Sequence, residues 1–149
     1  MINRRDVMMM AGAATLLAGE TFAADKPAKP LKVLVLGGTG ISGPHLVREL
    51  DSRGHKVTLF NRGKRNPGLF PNVETLLGDR NGPLDVLKGR DWDVVVDNSG
   101  YFPRQVQASA QLLKEHARHY IYVSSISAYA DMTPPGIDEN YQLAELKDP

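Results

Sequence analysis

The sequence predicts an α/β fold, a doubly wound parallel sheet with strand order 3-2-1-4-5. Two observations lead to it. Short apolar runs alternate with helical segments from Leu31 onward, the pattern of strands joined by crossovers. A glycine-rich turn, Gly37 to Gly43, sits directly between the first apolar run and the first amphipathic helix. In such sheets ligands bind beyond the carboxyl ends of the strands, and the polar motifs of this chain follow strands in that way.

The elements come in this order. Leu31 to Leu36 is nearly continuous apolar sequence, as expected of a strand buried on both faces. Ile41 to Arg53 reads as a helix, with Leu46, Val47 and Leu50 on one side and Arg48, Glu49, Asp51 and Arg53 on the other. Pro44 falls in its first turn and Gly54 is placed to end it. His55 to Phe60 is a second strand and Val73 to Leu77 a third; Pro83 to Leu87 suggests a short helix. Asp93 to Asp97 is a fourth strand. Pro103 to His116 is a helix with Val106, Ala110 and Leu113 in register, and Tyr120 to Val123 is a fifth strand.

The chain has 149 residues, enough for one domain with a sizeable core. Its formal charge of +1 gives no strong pull toward nucleic acid or an anionic membrane, so nucleic acid is not an expected partner. No cysteine is present, which excludes disulfides and cysteine-based metal sites. The expectation is that no metal is used. Trp92 and the histidines show no ligand or triad spacing and read as structural.

Residues 1–23 resemble a leader rather than part of the fold. Arg4-Arg5 precedes the apolar stretch Val7 to Gly19, and Thr21-Phe22-Ala23 offers small residues around a cleavage point. This is the three-part layout of a secretory signal, and the arginine pair resembles a twin-arginine signal. The export reading places the protein in the periplasm; the alternative is a disordered leader on a cytoplasmic protein. The apolar stretch is too short to be a stable membrane anchor. Residues 24–30, with two prolines and two lysines, read as a linker. Residues 31–149 form the folded domain.

In Gly37-Gly38-Thr39-Gly40-Ile41-Ser42-Gly43, glycines recur every third residue. The first permits a tight turn out of the strand. The middle one lets backbone approach a pyrophosphate, and the last lets the helix pack closely on the strand. The helix start then offers free N–H groups and a partial positive charge to phosphates. A glycine triplet alone also fits an ordinary turn. Placed between strand and helix, with a second strand following, it marks a Rossmann-type dinucleotide site. No Gly-Lys-Ser or Gly-Lys-Thr follows, which argues against a P-loop.

Three segments together resemble the extended and atypical short-chain dehydrogenase/reductases: Val35-Leu36-Gly37-Gly38-Thr39-Gly40, Thr58 to Gly63, and Tyr122 to Tyr129. Within them they are similar to the NAD-dependent epimerase/dehydratase-like group, which includes nucleotide-sugar epimerases and chloroplast stem-loop RNA-binding relatives. The resemblance implies an NAD(P)-binding oxidoreductase domain. The alternative is a non-catalytic nucleotide-binding or RNA-binding relative.

At the end of the second strand, where an NAD site usually offers a carboxylate, stand Asn61 and Arg62, with Lys64 and Arg65 close by. No carboxylate lies between Lys56 and Asn72. Arg62 suits a 2′-phosphate, which favours NADP over NAD, and its guanidinium also suits stacking on adenine; the alternative is a solvated basic loop. By resemblance, Asp79 contacts the adenine amino group; it also fits a simple Gly-Asp turn. By resemblance again, Asn98 and Ser99 lie against the cofactor ribose and nicotinamide, and Ser124 contributes to the cofactor site.

The family's chemistry implies hydride transfer assisted by a Ser or Thr, a Tyr and a Lys. Ser125, four residues before Tyr129, matches the Ser of extended members. The pair Ser124-Ser125 also fits hydroxyls that satisfy backbone at a strand end. No tyrosine has a lysine four residues on: those positions are Gln105, Ser124, Ile126, Thr133 and Glu145. The expectation is a front half of the family fold, competent to bind a cofactor, inactive as this chain alone, and acting on a small-molecule substrate if completed. The free edge of its fifth strand is expected to favour pairing with another chain or poor solubility.

Overall fold

A computed structural model describes residues 29–145. The leader at residues 1–23 and most of the linker lie outside the described residues. Five strands form one parallel sheet: β1 (Lys32–Leu36), β2 (Lys56–Asn61), β3 (Glu74–Leu77), β4 (Trp92–Asp97) and β5 (Ala117–Tyr122). Their order is β3-β2-β1-β4-β5, the order expected from the sequence. Helix α1 (Gly43–Ser52) follows β1, and helix α2 (Pro103–Leu113) follows β4. The β3–β4 crossover carries only a 3₁₀ turn, Asp85–Leu87.

β1 is central because it can be. Val33 to Leu36 are all buried, so this strand tolerates a layer on each face. Alternation then divides the core in two. Leu34 and Leu36 join Phe60, Leu76, Leu87, Trp92, Val95 and Leu113 on the α2 side. Val33 and Val35 join Leu59, Val96 and the α1 residue Val47 on the other. Parallel register aligns Leu36 with Phe60 and Asp97, so the carboxyl ends of β1, β2 and β4 finish level. The loops that follow them therefore meet.

Several boundaries differ from the sequence expectation, each for a tertiary reason. Helix α1 starts at Gly43 rather than Ile41, since Ile41 and Ser42 belong to the turn and Ile41 is almost fully exposed. Helix α2 ends at Leu113 rather than His116. The His116 carbonyl accepts from the Trp92 N–H at 2.8 Å, which draws residues 114–116 out of the helix and starts β5 three residues early. The inward face of α2 is Gln105, Ser109 and Leu113 rather than Val106, Ala110 and Leu113. Polar residues face inward there because an ion pair lies beneath them.

β5 is the edge of the sheet among the described residues. Ile121 and Tyr122 are half-exposed. Among the described residues no helix is long and apolar enough to cross a membrane.

Candidate dinucleotide-binding site

The loops after β1, β2, β3 and β4 enclose a cleft of about 540 Å3 at the carboxyl end of the sheet. A cleft of about 630 Å3 lies at the opposite end, over Lys32, His55, Glu74 and Arg90. There Arg90 donates to Glu74 at 2.8 Å, and Thr58 donates to the same carboxylate at 3.1 Å. The carboxyl-end cleft sets backbone donors at a helix start beside three cations, Arg62, Lys64 and Arg65, that have no ion-pair partner among the described residues.

The glycine turn forms one wall. The backbone N–H groups of Thr39, Gly40, Ile41 and Ser42 donate to no acceptor among the described residues. Four neighbouring donors at a helix start, next to a cleft, make an anion cradle. Gly37 has φ +111°, and a Cβ there would come within 2.5 Å of Asn98 Oδ1. The β1 turn and the β4 loop therefore close on each other only through a glycine.

The β2 loop supplies positive charge. Asn61 Oδ1 accepts from the Gly63 N–H at 2.7 Å, bending the chain just past the strand. Asn66, at φ +46°, donates through Nδ2 to the Thr39 carbonyl at 3.2 Å and holds this loop against the glycine turn. Arg62, Lys64 and Arg65 line the cleft and have no ion-pair partner among the described residues.

The β3 and β4 loops form the far wall. Asp79 Oδ1 accepts from Asn81 N at 2.9 Å and from Asn81 Nδ2 at 3.3 Å. This is the turn-forming role open to Asp79, and the residue lines the cleft as well. Gln105 Nε2 donates to Asn81 Oδ1 at 2.9 Å, and its Oε1 accepts from Tyr101 N at 3.0 Å and Phe102 N at 3.2 Å. Ser99 Oγ donates to the Leu36 carbonyl at 2.9 Å, so that hydroxyl is committed to the fold.

Beneath this wall lies a buried polar cluster that no sequence motif announced. Arg80 grips Asp97 with both guanidinium arms, at 2.6 and 2.8 Å. Arg80 also donates to the Gln105 carbonyl and to Ser109 Oγ, each at 2.8 Å. Tyr120 donates to Asp97 Oδ2 at 2.7 Å. Asp97 is fully buried. Burial alone raises its pKa, but the hydrogen bonds from Arg80 and Tyr120, the Arg80 charge and the Ser99 N–H outweigh it. The carboxyl ends below its ordinary range. Burial, with the neighbouring Asp97 carboxylate, pushes the Tyr120 hydroxyl well above the usual tyrosine value. Tyr120 thus meets Asp97 as a protonated hydroxyl, 2.7 Å from Oδ2.

The structure brings Gly37, Thr39, Gly40, Ile41, Ser42, Asn61, Arg62, Asp79, Asn98 and Ser99 to one cleft. Gly38 and Gly43 lie behind it, packed against each other. Ser124 and Ser125 are exposed and outside the cleft lining. Ser125 Oγ accepts from the Ser127 N–H at 3.2 Å, the backbone-satisfying role open to this pair. Arg80, Asn81 and Gln105 are the site residues the sequence did not single out.

Residues 33–148 match the NAD dependent epimerase/dehydratase family. The chain belongs to that family. Among curated proteins, it is 34% identical over 121 residues to the chloroplast stem-loop binding protein of 41 kDa b of Arabidopsis thaliana, covering 69% of this chain and 32% of that one. Among solved structures, the WbmG enzyme of Bordetella bronchiseptica in complex with NAD superposes with a TM-score of 0.68 at 12% identity, covering 80% of this chain and 46% of that one. A dTDP-glucose 4,6-dehydratase of Bacillus anthracis in complex with NAD gives 0.61 at 23% identity, covering 79% and 45%. The chain spans about a third of the curated relative and less than half of these structures. The part shared with these structures includes the five-stranded parallel sheet.

Proposed function

We propose that this domain binds a dinucleotide, NADP in preference to NAD, as the cofactor half of an epimerase/dehydratase-type oxidoreductase. The substrate class is a nucleotide sugar or a related carbonyl or hydroxyl compound. One observation carries the reading. Four unpartnered N–H groups at Thr39 to Ser42 share a cleft with three unpaired cations, Arg62, Lys64 and Arg65. The N–H groups suit a pyrophosphate, and the cations suit a further phosphate at the 2′ position. No carboxylate stands on the β2 loop to select a free 2′-hydroxyl. Asp79 receives the adenine amino group, and Asn98 and Ser99 border the ribose and nicotinamide. When bound, the dinucleotide supplies the hydride acceptor or donor. Ser125 is the hydroxyl proposed to hold a reacting oxygen. With no Tyr-x-x-x-Lys in these 149 residues, binding without turnover is the expected behaviour of this chain by itself.

NADPH and NADH titrations followed by fluorescence test the reading. At Gly40 a Cβ meets nothing closer than Arg65 Nη1 at 4.0 Å, so Gly40→Val is expected to fold and yet block the approach of phosphate. It should abolish measurable binding of both nucleotides. Arg62→Ala should weaken NADPH roughly tenfold, the loss of one charge-assisted contact, and NADH less than about twofold. Equal weakening of both would remove Arg62 as the 2′-phosphate contact, and a wild type that binds NADH at least as tightly as NADPH would overturn the NADP preference. A folded chain that binds neither would end the cofactor reading.

The leader carries a separate proposal, export of the folded, cofactor-loaded protein by the twin-arginine route. Changing Arg4 and Arg5 to lysine is expected to stop export of a fused reporter. Unchanged export would remove the periplasmic assignment.

A further inference from the structure

The loop after β3 is exposed at Asp79, Asn81 and Gly82, and one side chain ties it down. Arg80 lines the cleft together with Asp79 and Asn81, but its guanidinium reaches inward to Asp97. Its guanidinium meets Asp97 at the end of β4, Ser99 Oγ at 3.3 Å, and the first turns of α2 through the Gln105 carbonyl and Ser109 Oγ. Asp97 is held in turn by Tyr120 from β5. A second tie runs in parallel, from Gln105 Nε2 to Asn81 Oδ1. Asn81 then donates twice to Asp79 Oδ1. Asp79 Oδ2 accepts no hydrogen bond among the described residues, and the side chain is exposed.

We propose that Arg80 is a positioning residue of the dinucleotide cleft, locking the β3 loop so that the Asp79 carboxylate is preset to select the adenine base. The inference rests on the cofactor reading above and adds to it the device that makes the base contact selective. A carboxylate accepts from the exocyclic amino group of adenine. Hypoxanthine presents a carbonyl oxygen at the same place, which a fixed carboxylate repels and a mobile one avoids. Selectivity therefore depends on how firmly Asp79 is held. Lysine cannot replace Arg80, because a single ammonium cannot span both Asp97 oxygens, Gln105 O and Ser109 Oγ in the planar fork that the site requires.

The test compares the affinity of the full chain for NADPH and for its hypoxanthine analogue, in the wild type and in Arg80→Lys, Ser109→Ala, Asn81→Ala and Arg90→Met. Arg90 lies at the opposite end of the sheet and controls for general loss of stability. The wild type is expected to prefer NADPH about tenfold. Arg80→Lys should reduce that ratio to about twofold or less, and Ser109→Ala and Asn81→Ala should each reduce it part of the way. Arg90→Met should leave it unchanged. If Arg80→Lys does not fold, Ser109→Ala decides, since it removes one Arg80 acceptor and keeps the buried ion pair; an unchanged ratio there overturns the proposal. An unchanged ratio in the folded Arg80 and Asn81 variants overturns the proposal. NADPH binding by a wild type that shows no base preference overturns it too, while leaving the cofactor site in place. Absence of NADPH binding overturns both.

Discussion

Replacing Gly43 with alanine is expected to destabilise the domain by about 3 kcal/mol, the upper end of the usual range for overpacking a tight site. A Cβ at Gly43 would lie 2.5 Å from the Gly38 carbonyl carbon and 2.6 Å from both its Cα and its oxygen. These are backbone atoms, so no side chain can swing away. Relief requires helix α1 to move off the turn, and Val47, buried in the α1-side core, would move with it. The same shift opens the cradle formed by Thr39 to Ser42, so cofactor affinity should fall as well. Urea denaturation checks the first effect through a lower midpoint at unchanged slope, with a melting temperature down by roughly 10 °C. Gly40→Val is the informative contrast. Its Cβ points into open space, so binding should be lost with the fold retained. A stable Gly43→Ala protein would mean that the turn is looser than the structure shows.

Asp97→Asn is the second large effect, expected to cost about 3 kcal/mol, because it leaves the Arg80 charge buried without its counter-charge. The sign of its pH dependence follows from the lowered pKa of Asp97 in the folded state. A carboxyl with a depressed folded pKa contributes stability above its unfolded value, near about 3.9, and loses it as pH falls through the folded value. The stability gap between wild type and Asp97→Asn should therefore be constant near neutrality and narrow below about pH 4. Denaturant melts from pH 7 down to pH 3 measure it. A gap that stays constant into acid would show that charge is not what Asp97 contributes. Tyr120 stays protonated throughout this range, since its hydroxyl titrates far higher.

The cleft shows how far local sequence reached. The glycine turn was legible because two of its glycines have local reasons the structure shows: a positive φ at Gly37 and close helix packing at Gly43. Arg62 was legible because it follows a strand where a carboxylate is expected. Asp79 was legible only through resemblance. Its neighbour Arg80 carried no signal in the sequence, yet it is the residue that fastens that turn to the rest of the domain. The α2 face misled in the same way. Val106 and Ala110 have the apolar character expected of an inward face, but Gln105 and Ser109 occupy it.

What the sequence alone determined about this protein is the alternation of strands and helices, the parallel sheet with β1 at its centre, and the glycine-rich turn between β1 and α1. These follow from periodicity and from backbone conformations that single residues permit or forbid, and such information is local. Only the tertiary structure decided which polar residues are buried together. Arg80 and Asp97 are 17 positions apart, and Asp97 and Tyr120 are 23 apart. Their meeting depends on sheet register, with Asp97 paired to Tyr122 on β5 and aligned with Leu36 on β1. A charge in a loop and a charge at a strand end look solvated in sequence. They become a buried pair only when the register of the sheet and the placement of α2 close over them, and burial then makes each require the other.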